Sequence, residues 1–88
     1  MPAYIVAYDL RQPGRNYDPL YAAIKGYGTW GKVTESLWVI DSASSAVSIR
    51  DHLTGFIDKN DRIFVVKSGL EAAWRNAMAE NEWLKSHL

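Results

Sequence analysis

Apolar residues in this chain fall into short blocks whose spacing switches between the period of a strand and that of a helix. Residues 3–8, AYIVAY, are rich in β-branched and aromatic types and apolar on both alternating faces, which predicts an interior strand. Pro13 and Gly14 then break the chain into a loop. Asp18 before Pro19 marks a helix start, with Asp18 as N-cap and Pro19 in the first helical position. Leu20, Ile24 and Tyr27, with Tyr21 alongside, form its apolar stripe, and Gly28 offers a left-handed stop. Residues 32–40, KVTESLWVI, read as extended but are interrupted at Glu35–Ser36. Two short strands with a tight reversal, or one long bent strand, both satisfy this pattern. The serines of DSASS cap a second helix beginning near Ser44 or Ser45, with Ala46, Ile49, Leu53 and Phe56 on one face. DKND (58–61) is a polar turn, and RIFVVK (62–67) is a further strand, apolar on both faces. After Ser68–Gly69 the pattern predicts a third helix over 70–78 carrying Trp74, and a last helical turn or two in NEWLKSHL.

If the middle region forms two strands, the order becomes β-α-β-β-α-β, the α+β ferredoxin-like split unit, as one domain over 1–88 with a C-terminal helical extension over 70–88. Helices of such a unit cover one face of the sheet. The other face here is equally apolar: Ile5 and Ala7 oppose Tyr4, Val6 and Tyr8, while Phe64 and Val66 oppose Ile63 and Val65. Burying one large side chain is worth about 1.5–3 kcal/mol, against a total stability of about 5–15 kcal/mol. The second face therefore needs a cover. The expected cover is the C-terminal segment together with a second copy of the chain in a two-fold homodimer.

The remaining sequence features narrow the function classes. The chain has no cysteine, which removes disulfides, thiolate metal sites and cysteine nucleophiles. No stretch approaches the roughly 20 apolar residues of a membrane helix, and the first residues lack a signal-peptide pattern, so a cytoplasmic protein is expected. Formal net charge is zero. Residues 1–34 carry Arg11, Arg15, Lys25 and Lys32 against Asp9 and Asp18, a balance of +2, which permits a local basic patch and not a broad basic face.

Several motifs are better explained by structure than by chemistry. GYGTWG (26–31) spells a dinucleotide fingerprint but follows a helix and precedes a strand, the reverse of what a pyrophosphate site requires. His52 and His87 have no second ligand at metal spacing. DSASSAVS is read as capping, although a helix start of this kind attracts anions. The four tryptophans are assigned to core or interface, leaving Tyr17 and Tyr21 as the stacking candidates beside the arginine loop. Asp9, at the end of an apolar strand, has two readings. It either accepts hydrogen bonds from the backbone of the following loop, or pairs with its copy across a dimer to hold a divalent cation. In the second case Arg11 and Arg15 would clamp phosphates.

The run YIVAYDL, a helix, ESLWVI, a helix and RIFVV resembles the small CRISPR-associated proteins called Cas-two. The resemblance is stronger to their stand-alone SinR-like relatives and more distant to VapD-type interferases. It covers residues 3–67 and is densest in YDL (8–10) and SLW (36–38), while EWLKSHL looks like the tail of the stand-alone relatives. It implies a ferredoxin-like homodimer and a metal-dependent endonuclease acting on RNA or DNA with magnesium or manganese. Asp9 would be the catalytic metal ligand and Ser36 would match the serine of the second-strand region, while Arg11, Arg15 and Tyr17 remain the nucleic-acid-contact candidates of the residue reading. The alternative is a dimeric scaffold or nucleic-acid-binding adaptor without turnover.

Overall fold

The computed structural model describes residues 2–12, 14–69 and 71–88. Pro13 and Leu70, assigned above to the loop break and the third helix, lie outside them. Among the described residues, β1 (Ala3–Asp9), β2 (Trp30–Thr34), β3 (Leu37–Asp41) and β4 (Arg62–Lys67) form one antiparallel sheet in the order β2-β3-β1-β4. Helices α1 (Asp18–Lys25) and α2 (Ala46–Thr54) follow β1 and β3, and α3 (Asn81–His87) follows β4. The Glu35–Ser36 interruption is thus a reversal between two strands, with a register irregularity between Lys32 and Thr34.

One face of the sheet carries Tyr4, Val6, Tyr8, Trp38 and Ile40 against Leu20 and Ile24 of α1 and Ile49 and Leu53 of α2. The alternation of the strands and the i, i+4 spacing of the helices build this core directly. Ser45 caps α2 as expected, its hydroxyl accepting the Ser48 N–H at 3.1 Å. Phe56 packs on the same core from beyond the end of α2. The start of α1 differs from expectation. The Tyr17 carbonyl already accepts the N–H groups of Leu20 and Tyr21, and the Asn16 side chain accepts that of Asp18. Helical bonding therefore begins one residue early, with Tyr17 as N-cap and Asp18 inside the first turn.

The opposite face is covered by the C-terminal segment. Leu84, fully buried, joins Ala3 and Val39, with Ile5, Val33, Trp74, Ala77, Ala79, Trp83 and Leu88 around them. The helix expected over 70–78 is not formed in its described part. Asn76 takes a positive φ of 55°, and the Met78 N–H donates to the Val33 carbonyl of edge strand β2 at 2.8 Å. The composition of EAAWRNAMAE favours a helix, but an irregular strap brings Trp74, Ala77 and Ala79 onto apolar sheet surface, and that burial outweighs propensity. The His87 imidazole, stacked on Trp83, lies 3.3 Å from the Asp41 carboxylate and fastens the end of α3 to β3. The strap stops short of β4, where Phe64 is 64% exposed and Val66 39%. Among the described residues no helix is long and apolar enough to cross a membrane.

Candidate functional site

Antiparallel pairing of β1 with β4 sets the last residue of one strand opposite the first of the other, so Asp9 faces Arg62. Asp9 Oδ2 accepts hydrogen bonds from Arg62 Nη1 at 2.9 Å and Arg11 Nη1 at 3.3 Å. All three side chains are about half exposed or more, which holds each ion pair to about 0–1 kcal/mol. The pairs contribute little to stability and much to placing two guanidinium forks around one oxygen.

Among the described residues Asp9 accepts no backbone N–H from the loop after β1, in contrast to the first reading of that residue, and meets that loop only through the Arg11 side chain. Asp61, in the turn before β4, ties the loop instead. Its Oδ1 accepts the Arg11 backbone N–H at 2.7 Å, and its Oδ2 accepts the Tyr17 hydroxyl at 2.8 Å and the Asp58 N–H at 2.7 Å. Desolvation opposes ionisation of Asp61, but the Arg11 and Asp58 N–H groups, the Tyr17 hydroxyl and the nearby Arg15 charge together hold its carboxyl below the ordinary range. Desolvation and the Asp61 carboxylate push the Tyr17 hydroxyl up. Arg15 reaches Asp58 at 3.5 Å and lies 5.7 Å from the Tyr17 ring centre.

Ser36 sits at the same end of the sheet, in the β2–β3 reversal. Its carbonyl accepts the Tyr8 N–H at 3.0 Å. The Tyr8 hydroxyl donates to the Glu35 carbonyl and accepts the Trp38 indole N–H at 2.9 Å. Burial raises the Tyr8 hydroxyl pKa, and the Trp38 bond pulls the other way.

The structure thus brings Asp9 and Arg11 together, groups Arg15 with Tyr17, and leaves Ser36 acting through its backbone. Arg62, Asp58 and Asp61 complete the arrangement and were not anticipated. The signal for Arg62 was present, because a split unit with an acid ending its first strand and a base opening its last must place them side by side.

A shallow cleft of about 420 Å³ runs from Asp9 along Ala7, Tyr8, Arg62, Ile63 and Phe64, joining the charged corner to the uncovered part of the sheet. Among the described residues no group of three or more His, Cys, Asp or Glu side chains is placed to hold a metal ion. At Asp9 a cation would meet two guanidiniums, so one chain alone does not fit magnesium or manganese. No family model matches the chain.

Proposed function

We propose that this chain acts as a ferredoxin-like homodimer of the Cas-two kind that grips nucleic-acid phosphates at the Asp9 end of its sheet, without turnover. The strand order β2-β3-β1-β4, with helices after β1 and β3, supports the ferredoxin-like assignment. The observation that carries the function is the bracketing of one carboxylate oxygen by Arg11 and Arg62. A guanidinium has five donors, and each of these spends only one on Asp9, leaving the rest for phosphate oxygens. Asp9 is then a positioning residue. The exposed Phe64 and Val66 support a contact between two copies, and a cysteine-free sequence suits the reducing cytoplasm.

A second reading is metal-dependent phosphodiester hydrolysis, favoured by the placement of Asp9 on the rim of the cleft that leads to Phe64. A two-fold contact there would bring a second Asp9 close. The two carboxylates would hold magnesium or manganese, an ion that polarises a phosphodiester.

Fluorescence anisotropy with labelled duplex and single-stranded oligonucleotides, run beside light scattering, separates the readings. Under the first, Arg62→Ala weakens binding to both, and Asp9→Ala, which frees the two forks from their shared oxygen, weakens it less and leaves stability within about 1 kcal/mol. Manganese-dependent cleavage by the wild type that vanishes in Asp9→Ala establishes the second. A monomer that binds no oligonucleotide overturns both.

A further inference from the structure

Of the four tryptophans, one stands outside the core of the single chain. Trp30 opens edge strand β2 with its ring 38% exposed, on the side of the sheet that the helices cover. It is nonetheless held firmly. Its ring lies against Trp38, with centroids 5.3 Å apart. Trp38 is itself buried, stacked with Tyr21 and hydrogen-bonded to Tyr8. An exposed indole backed by a fixed aromatic cluster loses little side-chain freedom when something settles on it.

Two lysines stand over this cluster. Lys25, at the end of α1, places its ammonium 5.1 Å from the Trp30 ring centre. Lys32, two residues along β2, places its own 5.5 Å from Trp38. Lys32 also reaches Glu35 at 3.5 Å, whereas Lys25 forms no ion pair among the described residues. At this edge of the sheet a shallow cleft of about 460 Å³ is lined by Trp30, Lys32, Met78, Glu80 and Trp83. That volume falls within the roughly 300–1,000 Å³ of small-ligand sites. Trp83 closes the other face of the edge by packing directly on Gly31, where a Cβ would lie 2.7 Å from its ring.

We infer that Trp30, with Lys25 and Lys32, is a base-stacking contact for single-stranded nucleic acid, an unpaired base settling on the exposed Trp30 indole while the ammonium groups meet the adjoining phosphates. This rests on the nucleic-acid reading above but uses a different part of the sheet: Trp30 is in register with Ile40 and, through it, with Tyr4, whereas Asp9 ends β1 on the other side. A flat aromatic face with flanking cations suits a base joined to a phosphate. An apolar protein side chain would satisfy the rings and leave the Lys25 charge unused. Stacking on an indole is tolerant of base identity, so the contact selects strandedness and not sequence.

The test is fluorescence anisotropy of end-labelled poly-dT and poly-U 12-mers, and of a duplex of the same length, with the full chain at several salt concentrations. Trp30→Ala is expected to weaken single-strand binding by roughly 5- to 140-fold for one stacked base and to leave duplex binding unchanged. Trp30→Phe retains most of the affinity. Lys25→Ala, an exposed change that leaves the core intact, weakens binding a few-fold and lowers the salt slope by about 0.7, the value for one phosphate contact on a single strand. Single-strand binding that is unchanged in both Trp30→Ala and Lys25→Ala overturns this inference while the phosphate reading stands. A wild type that binds neither oligonucleotide overturns both.

Discussion

Replacing Leu84 by alanine isolates what holds the C-terminal segment to the sheet. Leu84 is fully buried between Ala3 and Val39 and is the one buried residue of α3. Removing its branched end withdraws apolar surface and leaves a cavity, at a cost of about 2–5 kcal/mol for such sites. The upper part of that range applies if the surroundings cannot close in, and two features favour it. The helix has only seven residues, far too few to persist without tertiary contact. Its remaining anchors are the half-buried Trp83 and the contact of His87 with Asp41. Against a total of about 5–15 kcal/mol, the variant should be folded in its four strands and first two helices but frayed at its end. Urea denaturation gives the stability change, and amide hydrogen exchange over residues 81–88 locates it. A loss below about 1 kcal/mol, with those amides still protected, would refute the assignment of Leu84 as the anchor of the strap.

Two further outcomes follow from the same geometry. Gly31→Ala should lower stability by about 1–3 kcal/mol in thermal unfolding, because the new methyl meets the Trp83 ring and one of them must move. Asp61→Asn should cost stability at neutral pH and less in acid. The folded carboxyl titrates below the ordinary value of about 3.9, so its contribution is present above that value and disappears as pH falls through the folded pKa. Melting temperatures from pH 7 to pH 2 should therefore show the gap between wild type and variant closing, and a gap of constant width counts against the Asp61 network.

The parts of the fold that were legible in the sequence are those where local signals and tertiary packing agree. β1 carries apolar residues on both faces because both of its faces are covered, and Ser45 caps α2 in the manner its position suggests. In the segment after β4 helix propensity is overridden, because helix-favouring residues there are held in an irregular strap by a sheet face and a strand edge far away in sequence. The candidate site was half visible. Asp9 and Arg11 are neighbours in the chain, but Asp61 took the loop-tying role because three donors from three places converge on it, and no local pattern records that. Composition assigns all four tryptophans to core or interface alike, and does not distinguish an indole on an edge strand, such as Trp30, from one in the middle of the sheet, such as Trp38.

The two borders of the sheet are unequal, and this bears on how copies of the molecule can add side by side. Along β2, the Met78 amide already occupies the Val33 carbonyl, so the strap obstructs an incoming chain. Along β4 no described residue pairs with the outer border, and Arg62 and Lys67 stand at its two ends to discourage careless pairing. A body with a single open border can join laterally only once: two such borders meeting consume each other, and growth ends at a pair instead of running on into a filament.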